Sequence, residues 1–439
     1  MKSFFAIILL LAGGYGHARA DADLPMTSQR ERSVYTLQDC LAIGLREAAS
    51  LRQAERDLEI ADSAIGQVRA QFLPQVSADA SYTRRDKLDR IEFGEQRMEV
   101  GSLDNYALSV GVRQLLYSGG ALSAALDAAR DFRIMADIRA EQARATLERD
   151  IRAGFADLLY LGEAVVVNAL AVEQWRETLV QTEQRFEQDM ASEFDVLNAR
   201  VQWANALPSL IQASNRLALA KTSFADLIRL PESDFDVRGE LLYEPFVAEM
   251  DALLCEARSA RSELRLARQG LALREAEIRS EQSAYRPSLR FSAQYGAQRG
   301  PFDFGDGGDL DWRWSATLSA QWSFLDGGLR RSRVREKALE RDKTREDIET
   351  LERRVALEVR QAVLALRQAD ESVAAMRETA GLAERSQAIA STRYRTGLAT
   401  RLELAEANMA LTTARLHWLG ALREHTLAVI ALRHAVGRR

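Results

Sequence analysis

The chain is poor in the residues that most chemical sites require. It has two cysteines and four histidines, and one histidine lies within the first twenty residues. Cys40 and Cys255 form no Cys-x-x-Cys pair, so we expect buried thiols rather than a redox or metal site. His417, His425 and His434 share one C-terminal segment without a matching carboxylate set, and we expect them on a helix surface. The sequence therefore predicts no catalytic, metal or cofactor site and no enzyme activity.

Long apolar runs are missing beyond the N-terminus. Residues 1–20 resemble a secretory signal peptide, with Lys2, an apolar stretch too short to span a bilayer, and the cleavage pattern Ala18-Arg19-Ala20. No later run approaches about 18 apolar residues, so the exported chain is either soluble or crosses a membrane as a β-barrel. The net charge of −5, or −7 without Lys2 and Arg19, argues against a nucleic-acid partner.

Proline is scarce, and its absence permits very long helices. None occurs from Ala121 to Glu187, where apolar residues recur every three or four positions. About 67 residues in one helix would make a rod about 100 Å long, which implies coiled-coil pairing; a series of shorter helices is the alternative. A second rod of this kind follows Gly328. Shorter helices are expected over 37–72, 191–230 (kinked at Pro208), 246–285 and 399–436.

The sequence is duplicated. The segment Arg185–Ala199 corresponds to Arg393–Ala407, 208 positions later. A repeat of this period makes each half one structural unit. We expect a signal peptide over 1–20, a first repeat over 21–230, a linker over 231–245 and a second repeat over 246–439. The residues expected at the junctions between helices and strands are Pro74, Pro287, Gly119, Gly120, Gly327 and Gly328.

Four segments alternate between apolar and polar residues, as a strand with one apolar face does: about 75–83, 104–116, 288–298 and 311–325. Trp312 and Trp322 are ten positions apart, about 25 Å along the membrane normal for a strand tilted by about 40°. This spacing favours a lipid-facing band with Trp312, Trp314 and Trp322 as interface aromatics, over an amphipathic sheet packed on helices. Thr317 would face water and Leu318 lipid. Because four strands cannot close a barrel, several copies would share one.

The repeated turn carries a family resemblance. Arg393–Ala407 reads Arg-Tyr-x-x-Gly-x-x-Thr-x-x-Glu-Leu-x-x-Ala, and the first copy has Asp189-Met190 in place of Gly-Leu. With the order helix, Pro, strand, Gly-Gly, helix, the whole mature chain resembles the TolC family of outer-membrane efflux proteins. The resemblance implies a mainly α fold with a β-barrel portion. Each duplicated protomer has long coiled-coil helices and four strands, and three protomers form a 12-stranded barrel on an α-helical cylinder.

The resemblance also implies partners and a location. The family forms homotrimers that sit in outer-membrane lipid, extend into the periplasm, and dock on a periplasmic adaptor protein and an inner-membrane transporter. Small-molecule efflux is the first expectation, and the exit duct of a type I polypeptide secretion system is the alternative. A non-conducting periplasmic coiled-coil scaffold is the competing class. The residues implied for the adaptor-contact tip are Asp189, Met190, Gly397 and Leu398.

The resemblance places the periplasmic gate just past the second turn. Glu403 and Glu406 are three residues apart, so they share one helix face. Three copies would form a ring of carboxylates that favours cations. Asp195 is implied to hold neighbouring helices closed, with Tyr394 as its partner. The alternative is that acidic residues at a helix start only complement the helix dipole.

Overall fold

The computed structural model describes residues 33–93, 96–100, 102–231, 235–243, 245, 249–298 and 311–438. The expected signal peptide and the linking segment 299–310 lie outside the described residues. In chain order the elements are β1 Ser33–Tyr35, α1 Leu37–Glu47, α2 Ala49–Ala70, β2 Gln75–Arg84, β3 Asp89–Phe93, β4 Gln96–Val100, β5 Asp104–Tyr117, α3 Ala121–Glu187, α4 Glu193–Ile228, β6 Phe235–Val237, α5 Met250–Ala260, α6 Ser262–Ser283, β7 Ser288–Gln298, β8 Asp311–Gln321, α7 Leu329–Arg395 and α8 Arg401–Val436.

The two long helices are the dominant feature of the fold. α3 and α7 each contain 67 residues and run without a break, so each is about 100 Å long. α4 and α8 pack back along them, and α2 and α6 pack along their first halves. α4 continues through Pro208, while the kink expected there stays a prediction.

Each repeat breaks its first helix at an equivalent residue, which the sequence did not indicate. Ala48 and Arg261 have extended backbone between two helices, with φ near −60° in both. Neither break involves proline or glycine; tertiary contacts hold them instead. Ala48 is buried in the core, and the Arg261 guanidinium donates to Glu358 at 2.7 Å and to the Ala435 carbonyl at 3.2 Å. The prediction of one unbroken helix over 37–72 and another over 246–285 is therefore wrong, because each is interrupted at one residue.

The hydrophobic core lies halfway along the rods, once in each repeat. In both copies the long helix contributes four apolar residues at matching positions, and the broken first helix and the returning helix cover them. Cys40 is buried in the first cluster, and this burial raises the pKa of its thiol to about 11. Cys255 is exposed, contrary to expectation. The matching residues are Leu147, Ile151, Phe155 and Leu158 in α3, and Val355, Val359, Val363 and Leu366 in α7.

The four main strands form one antiparallel sheet in the order β2-β5-β7-β8. Their register aligns the apolar positions of all four strands. Val110, for example, is paired with Ala78 on one side and with Tyr295 on the other, and Tyr295 is paired with Trp314. Since side chains alternate between the two faces, one face of the sheet is apolar and the opposite face carries Ser, Thr, Gln and Arg.

Two small sheets were not expected. β1 and β6 pair in parallel and connect the start of the first repeat to the linker. β3 and β4 form a hairpin inside the segment 84–101, which the sequence indicates as a polar loop. A strand of three residues is too short to show a period of two. In β3 and β4 the alternation is confined to Ile91-Glu92-Phe93 and Met98-Glu99-Val100, so it is shorter than in the main strands.

Candidate functional site

No described part of the chain covers the apolar face of the four-stranded sheet. Trp314 and Leu318 of β8 are 75% and 61% exposed, and Val76 of β2 and Tyr106 and Val110 of β5 are also exposed. A contiguous apolar patch on this scale is not stable in water, and it marks a surface that contacts lipid or another protein. The sheet is therefore built to meet an apolar medium on one side and water on the other.

The edges of this sheet are also open within one protomer. β2 and β8 are the outermost strands, and each has one row of backbone hydrogen-bonding groups without a strand partner in the described chain. In an apolar medium such groups cost several kcal/mol each, about the cost of an unmade hydrogen bond. An apolar face and two open edges together require more strands than one copy supplies.

The predicted interface aromatics occupy different structural positions. Trp312 and Trp314 lie in β8 on the apolar face, and the Trp312 ring stacks on Tyr295 with 5.2 Å between ring centroids. Trp322 follows the last residue of the strand, although the sequence indicated a strand to residue 325. Its indole N–H donates to the Tyr285 carbonyl at 3.1 Å, which ties the end of the sheet to the end of α6.

The first repeat makes the same corner with a different side chain. Gln114 stands 208 positions before Trp322, and its amide donates to the Phe72 carbonyl at 2.7 Å. Phe72 in turn corresponds to Tyr285. The sequence does not reveal this corner bond, because Gln and Trp are chemically unlike apart from their N–H donor. The signal that could have found it is the equivalent position of these two donors when the two copies are aligned.

The junction glycines all have left-handed backbone. Gly119, Gly120, Gly327 and Gly328 have φ between +65° and +102°, a conformation that L side chains rarely adopt. Two consecutive residues of this kind turn each strand directly into its long helix. A side chain on Gly119 would also overlap the Ser283 carbonyl, whereas Gly327 has open space around it.

The two helical turns lie at the far end of the rods from the sheet and share one local design. In the first, Asp189 has φ +57° and the Met190 N–H donates to the Arg185 carbonyl at 2.8 Å. In the second, Gly397 has φ +78° and the Leu398 N–H donates to the Arg393 carbonyl at 2.8 Å. Both are Schellman motifs, in which a left-handed residue ends the helix. Asp189 adopts the conformation that favours glycine at a cost of about 1 kcal/mol.

The next helix begins with a capping box in both turns. Ser192 and Asp195 exchange side-chain-to-backbone hydrogen bonds, and Thr400 and Glu403 do the same. The capping bonds, with Arg401 nearby, hold the pKa of the Asp195 carboxyl below its usual value. Asp195 and Glu403 thus each stabilise the start of a helix. This agrees with the alternative that acidic residues at these positions serve the helix start. Glu406 has no such bond among the described residues and is exposed.

The structure brings the two turns into contact, but through other pairs than expected. The Arg401 guanidinium lies 3.4 Å from the Asp195 carboxylate, and the Tyr394 hydroxyl lies 3.2 Å from the Thr182 hydroxyl. The Arg185 guanidinium covers the Tyr394 ring at 4.4 Å. Asp195 and Tyr394 do not bond to each other within the protomer, because each is already engaged by a nearer group. Arg401, Thr182 and Arg185 are the contact residues that the sequence did not reveal.

Glu403 and Glu406 lie on one exposed face of α8, as their spacing predicted. They line a shallow groove between α7 and α8 together with Arg393 and Ile389. At the tip itself, the Met190 and Leu398 side chains are 68% and 71% exposed. The far end of the protomer therefore presents two apolar points beside an acidic groove.

Comparison with known proteins gives a family. A family model described as outer membrane efflux protein matches residues 44–228 and 253–438. A search of curated protein sequences gives no match. The chain is 20% identical to the MtrE outer membrane channel of Neisseria gonorrhoeae, with a TM-score of 0.74 and coverage of 92% of this chain and 89% of that one. It is 19% identical to the outer membrane protein VceC of Vibrio cholerae, with a TM-score of 0.73 and coverage of 92% and 96%. A membrane protein from Pseudomonas aeruginosa is 18% identical, with a TM-score of 0.77 and coverage of 91% and 92%. These likenesses show a shared fold.

Proposed function

Because this chain belongs to the outer membrane efflux protein family, we propose that three copies form one channel-tunnel that passes small molecules from a tripartite efflux system to the exterior. The barrel lies in outer-membrane lipid, and the rods extend through the periplasm to an adaptor protein and an inner-membrane transporter. The family, the fold and the outer-membrane location expected from the sequence are confirmed.

The observation that carries this proposal is the sheet with an apolar face and two open edges. If β8 of one copy pairs with β2 of the next, three protomers close a barrel of twelve strands and leave no edge. The continuous apolar face then meets lipid, and the Ser- and Thr-rich face lines water. Closure in this way satisfies every backbone group within the bilayer.

The rods support the same assembly. α3 contains an 18-residue stretch that is as apolar as a membrane span, yet only 28% of this stretch is buried within the protomer. Val166 and Leu170 are exposed there, and Leu364 is exposed on α7. Since these residues lie on helices already packed on one side, neighbouring protomers would cover them by coiled-coil packing. A conduit about 100 Å long follows from the helix length.

The tip supports contact with an adaptor. Met190 and Leu398 are apolar and exposed at the point furthest from the sheet. The left-handed residues Asp189 and Gly397 place them there by ending each long helix sharply. We assign the adaptor contact to these four residues.

Glu403 and Glu406 support an acidic constriction, with Asp195, Arg401 and Tyr394 holding the turns together. In a closed trimer, six carboxylates would surround the axis and bind multivalent cations. In Glu403→Gln/Glu406→Gln, block by a trivalent cation on the periplasmic side should weaken roughly tenfold or more. The matched control is Glu371→Gln/Glu378→Gln, which removes two exposed carboxylates from α7 away from the tip. If the trivalent cation blocks the parent and Glu403→Gln/Glu406→Gln equally, these two residues do not form the constriction.

The channel itself is tested by recording ion conductance after reconstitution into planar bilayers. Heat-resistant trimers with a steady conductance are expected. A trimer that never conducts, even with both turn contacts removed by Asp195→Ala and Tyr394→Phe, would favour the scaffold instead. Export assays with a small dye and with a secreted polypeptide, in cells that carry the cognate partners, separate efflux from the type I secretion alternative.

A further inference from the structure

A cavity of about 640 Å³ opens halfway along the rods, away from both the sheet and the tip. Phe155, on its wall, lies near the middle of α3, about 50 Å from either end of that helix. β1 and β6 are parallel, and both lead into the cavity: Thr36 follows one strand and Arg238 the other. The remaining walls come from α3, α8, the start of α1 and the linker. A volume of this size suits a small organic molecule.

One part of the wall is apolar. Phe155 and Leu159 of α3 face Val429 and Ile430 of α8, and Leu241 of the linker completes the set. Phe155 is buried within the core cluster, and Leu159 packs against the same cluster. The α3 side of this wall is therefore continuous with the core beneath it and offers apolar surface to a hydrocarbon group.

The rest of the wall is cationic. Arg152, Arg238 and Arg433 line the cavity, and none forms an ion pair with a described residue. Glu240 is the single carboxylate among the described lining residues. Arg265 of α6, by contrast, is paired with Glu141 at 2.6 Å. Among the described lining residues, three guanidinium groups and one carboxylate give a local excess of positive charge.

A buried, unpartnered side chain also reaches the cavity. His425 of α8 is 2% exposed, and neither ring nitrogen has a hydrogen-bond partner among the described residues. Its Nε2 lies 3.1 Å from the Asp370 carboxylate, but the two groups are not aligned for a hydrogen bond. The Tyr243 ring packs against the imidazole at 4.8 Å. Nε2 thus already faces a carboxylate, and Nδ1 is the ring nitrogen left without a polar neighbour. Because buried polar groups normally find partners, Nδ1 points to a missing ligand group.

We propose that this cavity binds an amphipathic organic anion. The hydrocarbon part would lie on the wall made by Phe155 and Ile430, and a carboxylate would accept from Arg433 and Arg152. Guanidinium groups suit a planar carboxylate because they donate two parallel hydrogen bonds. A cation is disfavoured by the charge excess, and a polyphosphate by the apolar wall.

The test is calorimetric titration of the assembled protein in lipid nanodiscs, with empty nanodiscs as the reference. Octanoate is the probe, and octan-1-ol and octyltrimethylammonium have the same tail with no charge or the opposite charge. We expect saturable binding of octanoate alone. Arg433→Gln should weaken its affinity about fivefold to tenfold, as the loss of one charge-assisted contact does. Arg216→Gln, an exposed arginine of α4 outside the cavity, is the matched control and should leave affinity unchanged.

A second variant separates binding from folding. His425→Phe fills the wall with an apolar ring and should lower octanoate affinity, while trimer stability and conductance stay near those of the parent. The proposal is overturned if octanoate does not bind or if all three probes bind alike. It is also overturned if Arg433→Gln weakens binding no more than Arg216→Gln does. Because the readout is binding, these outcomes are independent of whether the trimer conducts.

Discussion

Replacing Leu318 with arginine would place a charge on the apolar face of β8, inside the lipid band. Leu318 lies four residues before Trp322, about 13 Å along the strand and about 10 Å along the membrane normal. It is therefore close to the middle of a band about 25 Å high. An arginine near the midplane of a barrel costs about 2–4 kcal/mol, so we expect about 2–3 kcal/mol for each protomer.

Two neighbouring positions supply matched controls. Thr317→Arg puts the same side chain on the polar face of the same strand and should change stability by no more than about 0.5 kcal/mol. Ala320→Arg lies on the apolar face but only two residues from Trp322, so its guanidinium can reach the interface at a cost of about 0–1 kcal/mol. A sheet covered by protein instead of lipid would penalise Ala320→Arg as severely as Leu318→Arg.

The assay is urea unfolding of the protein in lipid vesicles, followed by tryptophan fluorescence. Trp312, Trp314 and Trp322 lie in or beside β8, whereas Trp175, Trp203 and Trp418 lie on helices. With the three helix tryptophans replaced by phenylalanine in every variant, the signal reports on this sheet. The expected order of destabilisation is Leu318→Arg first, Ala320→Arg second and Thr317→Arg last. Equal destabilisation by Thr317→Arg and Leu318→Arg would refute the assignment of the polar and apolar faces. Equal destabilisation by Leu318→Arg and Ala320→Arg would refute the claim that lipid covers the apolar face.

Three further predictions concern the corners and the turns. Gly119→Ala and Gly327→Ala share the strain of a left-handed backbone, but only the side chain added at Gly119 meets a carbonyl oxygen. The free energy of unfolding in urea should therefore be about 2 kcal/mol lower for Gly119→Ala than for Gly327→Ala. Equal free energies would contradict the corner packing. Asp189→Gly should raise trimer stability by about 1 kcal/mol in thermal dissociation, since it removes that strain from the first turn; no gain would contradict the Schellman geometry. The hydrogen bonds from Ser192, and to a smaller extent Arg401, lower the pKa of Asp195 in the folded protein. The stability that these contacts contribute is complete above the ordinary aspartate pKa and is lost as pH falls through the lower folded value. The stability of parent and Asp195→Asn should therefore converge on acidification, and parallel curves would refute a charge-dependent role of Asp195 at this turn.

The elements with strong periodicity could be predicted from the sequence. The long helix over 121–187 needed only the absence of proline and a regular apolar stripe. The faces of the four strands needed only alternation, and the structure adds the register that joins them. These features are local, so sequence neighbours determine them.

The features that were missed depend on tertiary contacts. Ala48 breaks a helix because the core holds its backbone extended, and no local signal marks it. His425 was expected on a helix surface, but it is buried because Tyr243 of the linker folds over it. The Asp195 partner was expected from a family resemblance, whereas the protomer supplies Arg401, a nearer cation. Pairings between distant segments require the fold itself.

The equal length of α3 and α7 restricts how this chain can change over evolutionary time. Each helix measures the same distance from the sheet to its turn, and the turns meet through contacts of 3.4 Å and 3.2 Å. Seven residues inserted into one helix alone would move its turn about 10 Å past the other and separate these pairs. Insertions and deletions in the rods are therefore tolerated only when both copies gain or lose the same number of residues, so the two halves of the duplicated gene must change length together.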